Sequence, residues 1–340
     1  MSLSEAASEY ISVYCKELPP LLTRLAAVPE LKRLDGISMH CGCDYAGVPV
    51  YKKIRGPYSR YVHSLAVAGI IWNFTKDIKQ AVAGLMHDIA TPVFAHTVDF
   101  MNRDYLVQES TEEKTEMFIK ESKEIMRLLT EAGIKAEEVS DYHRYPIADN
   151  ATPMLSADRL EYTLGNAFFV YRWEIDKIKE IYNKILLGTN EKQIEELCFG
   201  AIGEAETFTR VSLQNCRLFI SPENRYAMQY LADLLRNALE KQILSEADLF
   251  STESEVIRKL KSNKDTAKLW EIYQSISQVT EAAEKEEGKI CVKVPAKKRY
   301  INPLVKTEAG FFRITDLKEE VKNEMQAVLE KNLDLWLCPV

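Results

Sequence analysis

The chain has 340 residues, 46% of them hydrophobic and 28% charged, with a formal net charge of −7. That length can bury a sizeable core, as one large domain or one domain plus a smaller one, and the composition is globular rather than disordered or fibrous. The acidic excess argues against a general nucleic-acid binder, and no apolar run approaches the length of a membrane span.

The N-terminus lacks a charged-then-apolar signal pattern, so a cytoplasmic protein is expected. Seven cysteines, Cys15, Cys41, Cys43, Cys198, Cys216, Cys291 and Cys338, are scattered and odd in number. They predict free thiols in a reducing compartment rather than a disulfide framework.

Residues 4–28 read as helical, broken at Pro19-Pro20. Leu31 to Tyr51 is less regular and holds His40-Cys41-Gly42-Cys43. Cys-x-Cys beside His is compatible with metal binding, but no second half with zinc-site spacing follows, so these read as buried small residues at a turn.

After Gly56-Pro57, Ser59 is a natural N-cap for a long helix with Val62, Leu65, Ala66, Gly69 and Ile70 as its apolar stripe and His63 at the stripe's edge. The next helix begins near Asp77 and closes on Leu85-Met86-His87-Asp88. A helical hairpin would bring His63 beside His87 and Asp88. Neutral imidazole and carboxylate offer nitrogen and oxygen to a divalent metal. Adjacent helical residues diverge by about 100°, so His87 and Asp88 serve one ion best at a helix end facing a cavity.

Phe94 to Tyr105 predicts a short helix and loop carrying His96 and Asp99. Ser110 or Thr111 caps a helix that starts at Glu112-Glu113 and runs through Leu129, where first-turn glutamates ordinarily serve the helix dipole. Asp141 to Pro146 is a polar aromatic loop whose His143 can line a pocket. Ser156 caps a helix with Leu160, Leu164 and Phe168 at helical spacing, which sets Asp158 in its first turn.

Helices are expected over Glu174–Leu187, Glu191–Thr209, Glu223–Ala247, Glu253–Lys261 and Thr266–Glu287. Ile290 to Val294 and Phe311 to Ile314 alternate as strands would, and a final helix runs from Leu317 to about Asn332. Lys297-Lys298-Arg299 reads as a solvated strand end.

The set His63, His87-Asp88, Asp158 resembles the HD-domain superfamily of metal-dependent phosphohydrolases. Ser59-Arg60-Tyr61-Val62-His63-Ser64-Leu65 is similar to its Ser/Thr-Arg-Phe-Glu-His-Ser-Leu. Gly84-Leu85-Met86-His87-Asp88-Ile89 with Pro92-Val93-Phe94-Ala95-His96 is similar to its Gly-Leu-x-His-Asp run, and Asp158-Arg159-Leu160-Glu161-Tyr162 to its Asp-Lys/Arg-x-x-Tyr. These flanks point to the branch of the deoxynucleoside triphosphate triphosphohydrolases, strongly over residues 30–170.

The resemblance implies an all-α HD-domain helical bundle with a small α+β C-terminal extension. The expected division is N-terminal helices over 1–55, a metal-binding core over 56–200 and a helical region with a short β element over 201–340. It implies one divalent ion (Fe, Mn, Zn, Ni or Mg) on His63, His87, Asp88 and Asp158. Arg60, Arg159, Tyr162 and His143 would bind a small phosphorylated substrate, expected to be a nucleotide. His96 would act as general acid with Asp99 orienting it, and Glu112 is a further catalytic candidate. A homo-oligomer is expected, with no membrane or nucleic-acid partner.

Three departures bear on substrate. Ala90-Thr91 replaces the family's Gly-His, Glu112-Glu113 its His-Glu, and Gly165-Asn166 its Arg-Asp. Added acid and lost base both oppose a triphosphate. The expected function is metal-dependent hydrolysis of a nucleotide or related phosphate ester, with deoxynucleoside triphosphate hydrolysis the first named activity and monophosphatase action the second; the alternative is a catalytically weak nucleotide sensor.

Overall fold

The structure is a computed structural model that describes residues 3–106 and 114–340. Proline breaks the first helical stretch as expected, giving α1 (Glu5–Tyr14) and α2 (Pro20–Ala26), followed by α3 (Pro29–Lys32). Ser59 caps α4 (Arg60–Thr75) by accepting from Val62 N, and Asp77 caps α5 (Ile78–Met86) by accepting from Lys79 N and Gln80 N. From Val62 to Ile71 every residue of α4 is buried, so this helix is wrapped on all sides rather than amphipathic. It runs against α5 at close range: a Cβ on Gly84 would sit 2.2 Å from Ile71 Cδ1, so a larger residue there would force the Ile71 side chain to shift.

The short helix α6 (His96–Met101) follows a turn in which Phe94 and Ala95 both have positive φ, 59° and 43°. Left-handed backbone is strained for residues with a Cβ and persists only where neighbours over-determine it. Arg33 Nη2 donates to Ile89 O at 2.9 Å and Thr91 O at 2.8 Å, Val93 N donates to Leu249 O, and Phe94 N donates to Glu253 Oε1 at 3.2 Å. Four hydrogen bonds to three residues outside the turn, Arg33, Leu249 and Glu253, thus hold it.

The helix expected from Glu112 begins outside the described residues. Its described part is two helices, α7 (Thr115–Glu121) and α8 (Lys123–Glu131), because Ser122 is extended and caps the second by accepting from Ile125 N. Then come α9 (Ala157–Phe169), α10 (Ile175–Tyr182), β1 (Ile185–Thr189), β2 (Glu195–Phe199), α11 (Ile202–Phe219) and α12 (Pro222–Glu240). The remainder is α13 (Glu253–Ser262), α14 (Lys264–Ser275), β3 (Val279–Ala282), β4 (Leu304–Thr307), β5 (Gly310–Arg313), α15 (Ile314–Leu317), α16 (Glu319–Glu330) and β6 (Trp336–Pro339).

Several expectations are corrected here. The helices expected over Glu174–Leu187 and Glu191–Thr209 give way at 185–199 to the antiparallel pair β1–β2. That pair extends to a four-stranded sheet in the order β1-β2-β4-β5, with β2 and β4 parallel. Leu197, Cys198 and Phe199 are all buried, and their pairing partner Leu304–Val305 lies far along the chain, which local periodicity cannot register. The helix expected to reach Glu287 ends at Ser275, and β3 pairs with β6 instead. Ile290 to Val294 forms only the isolated bridge Val292–Leu337.

That bridge overturns the thiol expectation as well. It sets Cys291 and Cys338 opposite each other with Cα atoms 4.4 Å apart, and they form a disulfide, while Cys15, Cys41, Cys43, Cys198 and Cys216 are free. No helix among the described residues is long and apolar enough to cross a membrane.

Two large apolar clusters make the core. One joins α1, α4, α5, α8, α9 and the start of α11; the other joins residues 43–51, the 93–100 turn, α12, α13 and α14. Glu253 links them. It is 1% exposed, and its carboxylate accepts from Ser38 N, Phe94 N and the Tyr45 hydroxyl. Burial, with Asp44 adding to it, pushes this carboxyl up from 4.5 to about 8.

A folded-state pKa above the unfolded value means that the protonated carboxyl's stabilisation is complete below about pH 4.5 and is lost as pH rises towards about 8. Glu253→Gln, which keeps a carbonyl for the two backbone donors, is expected to melt close to wild type at pH 4.5. It should gain on wild type across that window by up to about 1.4 kcal/mol per pH unit. Parallel thermal melts between pH 4.5 and 8 check this; a pH-independent gap would contradict it.

Candidate metal centre

His63 sits in the first turn of α4, His87 at the C-cap of α5, Asp88 one residue beyond, and Asp158 in the first turn of α9. Three helix ends therefore deliver four donors to one point. His63 Nε2 lies 3.1 Å from His87 Nε2 and 3.1 Å from Asp158 Oδ1. Asp88 Oδ2 lies 3.4 Å from His87 Nε2 and 3.8 Å from His63 Nε2, and His87 Nε2 to Asp158 Oδ1 is 3.9 Å. Ligand bonds of about 2.0–2.2 Å at tetrahedral to octahedral angles need donor separations of about 2.9–3.6 Å. His63, His87 and Asp88, whose donor atoms all lie within 4.8 Å of one another, form the cluster that could hold one ion, and Asp158 adjoins it through its contact with His63.

Both imidazoles are oriented from behind. His87 Nδ1 meets Gly84 O at 2.7 Å, and His63 Nδ1 meets Glu161 Oε2, which turns both Nε2 atoms to the same space. Glu161 is fully buried and also accepts from the Tyr58 hydroxyl at 2.7 Å. Gly165 makes room for that ring, since a Cβ there would stand 2.1 Å from the Tyr58 hydroxyl. The departure at Gly165 thus has a structural reason: it lets Tyr58 reach the residue that orients His63. Asp158 and Glu161 stand one turn apart on α9, a spacing that could have flagged Glu161 in the sequence.

Charge favours a cation at this point. Burial opposes protonation of His63, yet Glu161 and Asp158 push it up to about 10. Burial likewise opposes ionisation of Asp88, and the Arg60 guanidinium with His87 and His63 outweighs it, holding the carboxyl far below the usual range. Asp158 is lowered too, burial being overcome by its hydrogen bond to His63 and by the two imidazoles and Arg159. Three carboxylates around two imidazoles call for positive charge, which a divalent ion supplies without a proton.

The remaining nominated residues divide. His96 opens α6 and its Nδ1 lies 2.8 Å from buried Asp99 Oδ2. Burial lowers its pKa, Arg299 and Arg60 lower it further, and the Asp99 bond only partly compensates. Arg60 is bound through Nη1 to both oxygens of Asp88 at 3.0 Å, and the Thr91 hydroxyl donates to Asp88 Oδ1 at 2.7 Å. Thr91, a second departure from the family pattern, therefore fixes a site carboxylate.

Arg159 donates to Asn150 Oδ1 and O and pairs with Asp149 at 3.1 Å. Tyr162 and Asn166 follow Asp158 at intervals of four and line the same cavity. His143 is at the exposed rim between Asp141 and Asp149. Glu112 lies outside the described residues.

A cavity of about 520 Å³ takes in the four donors, His96, Arg159, Tyr162 and His143. It has three linings that the sequence reading did not assign. His40 is buried beside Tyr51 with Nε2 unpartnered among the described residues, and burial lowers its pKa. Lys297 and Arg299, expected to be solvated, reach the cavity from the C-terminal segment. Arg299 Nη2 comes within 3.4 Å of His96 Nε2.

No family model matches the chain. It is 27% identical over 317 residues to the uncharacterized protein YdhJ of Bacillus subtilis, covering 92% of each chain. It is 26% identical over 157 residues to the metal-dependent phosphohydrolase cns2 of Cordyceps militaris, spanning 46% of this chain and 43% of that relative. Its fold is similar to that of a phosphohydrolase from Bacteroides thetaiotaomicron (TM-score 0.67, 17% identity, 95% and 96% of the two chains). A hypothetical protein from Aquifex aeolicus also resembles it (TM-score 0.61, 18% identity, 95% and 93%).

Glu161→Gln is expected to weaken divalent-ion binding by about 10–100-fold while the fold persists, because His63 loses the acceptor that fixes its ring. Calorimetric titration with Mn²⁺ and Zn²⁺ reads this, and unchanged affinity in a folded variant would contradict it.

Proposed function

We propose that the chain is a metal-dependent phosphohydrolase of HD type that hydrolyses a small phosphate ester of nucleotide size. The observation that carries this reading is the convergence of His63 Nε2, His87 Nε2, Asp88 and Asp158 on one wall of a cavity of about 520 Å³. The similarity to a metal-dependent phosphohydrolase supports it.

His63, His87, Asp88 and Asp158 would hold one divalent ion. When bound, such an ion supplies Lewis-acid charge for phosphoryl oxygens and lowers the pKa of water. The chain's own groups then do the rest. Arg60 and Thr91 fix Asp88. Asp99 holds Nδ1 of His96, so that Nε2 faces the cavity and serves as the proton donor to the leaving oxygen. A phosphate dianion beside His96 offsets the burial that otherwise keeps this imidazole neutral. Tyr162, pushed up to about 12 by burial, stays protonated and donates a hydrogen bond.

Among substrates, a phosphate monoester such as a nucleoside monophosphate is favoured over a deoxynucleoside triphosphate. Arg60 and Arg159 are both engaged by carboxylates within the chain, which leaves less cationic capacity for a triphosphate than the family pattern implies.

A screen of mono-, di- and triphosphate nucleotides and simple esters with added divalent metals tests the reading, with products identified by mass. Orthophosphate from monophosphates is expected, abolished by chelator and by Asp158→Asn; turnover that survives both would sink the proposal. His96→Asn is expected to lower kcat by about 10²–10⁴-fold with metal affinity unchanged, as read by calorimetry.

A further inference from the structure

Arg60 is bound to Asp88, and Arg159 to Asp149 and Asn150. The segment joining β3 to β4 supplies cavity cations from another part of the chain, and its course is held at several places. Val292 exchanges two backbone hydrogen bonds with Leu337, at 3.0 and 2.8 Å. Fully buried Arg225 donates to Val294 O, from Nε at 3.0 Å and also from Nη2. Asn302 N donates to Pro153 O at 2.8 Å.

Between these anchors Lys298 points away from the cavity. Its ammonium donates to Lys331 O at 2.8 Å and to Leu329 O, the carbonyls at the end of α16. While Lys298 is tied to α16, its neighbours Lys297 and Arg299 both line the cavity. Arg299 stands 3.4 Å from His96 Nε2, and its charge lowers the pKa of both His96 and Tyr162, which sets it between two groups that face substrate.

We propose that Lys297 and Arg299 form the phosphate-binding arm of this cavity and take the anionic oxygens of the substrate's phosphoryl group on the side of His96. This assignment rests on the phosphohydrolase reading and extends it to residues outside the four-donor motif. A planar guanidinium can donate twice to a phosphate, and an ammonium adds a point charge, so the pair matches a dianion. Lys298 is the positioning residue: it touches no substrate and acts by setting the direction of its two neighbours.

The test is calorimetric titration of the full chain with inorganic phosphate, with and without Mn²⁺. Wild type is compared with Lys297→Gln, Arg299→Gln, the double variant, Arg299→Lys, and Lys293→Gln as a control at an exposed lysine that pairs with Asp334. Each single Gln variant is expected to weaken phosphate binding about tenfold and the double variant about a hundredfold. Arg299→Lys should recover part of the loss, the control should match wild type, and Mn²⁺ affinity should be unchanged. A folded double variant that binds phosphate within twofold of wild type, or a wild type that binds none with Mn²⁺ present, overturns the proposal. Absence of Mn²⁺ binding and of turnover would defeat the phosphohydrolase reading instead, and phosphate titration of the same variants would still decide the arm.

Discussion

The candidate site depends on one buried contact, His63 Nδ1 against Glu161 Oε2. A carboxylate that is fully buried is expensive unless donors meet it; the imidazole and the Tyr58 hydroxyl both meet Oε2, while Oε1 is buried with no hydrogen-bond partner among the described residues. The contact fixes which nitrogen of His63 faces the cavity, and with it the point on which Asp88, His87 and Asp158 converge. It also constrains α9: Glu161 points into the core while Asp158, one turn earlier, points to the cavity, and Gly165 is kept small so that Tyr58 fits. One hydrogen-bonded chain from Tyr14 through Tyr10 to the backbone of Glu161 ties the N-terminal helix to the same place.

A second constraint is the turn that ends at His96. Phe94 and Ala95 adopt left-handed backbone that their side chains disfavour, and the conformation is held by Arg33, Glu253 and the backbone of Leu249. Its consequence is that α6 begins at His96 with the ring beside Asp99 and facing the cavity. Residues as distant as Ser38, Tyr45 and Glu253 therefore share in aiming one imidazole, through a carboxyl that burial keeps largely protonated at neutral pH.

The balance of charge in the cavity follows from which cations already have anions. Arg60 at the start of α4 pairs with Asp88 just beyond α5, and Arg159 at the start of α9 pairs with Asp149 in the segment before it. Cations that arrive from 297–299 are positioned by contacts to α16 and α12, independent of that arrangement.

Much of the site was legible in the sequence because its signals are local. Ser59, Asp77 and Ser156 cap helices through bonds two or three residues long, and the apolar stripes of α4, α5 and α9 then dictate which ends meet. That was enough to expect His63 beside His87 and Asp88; Asp158 was added to them by the resemblance to a known family. The resemblance of the flanking residues placed His96 and Asp99 beside them. What tertiary structure alone decided is everything set by pairing at long range: the strands at 185–199, the parallel union of β2 with β4, the disulfide beside the Val292–Leu337 bridge, and the turning of Lys297 and Arg299 inward. It also decided that Arg60 and Arg159 face carboxylates. A strand's pairing and an arginine's partner depend on what the rest of the chain brings alongside, and no spacing within the segment carries that information.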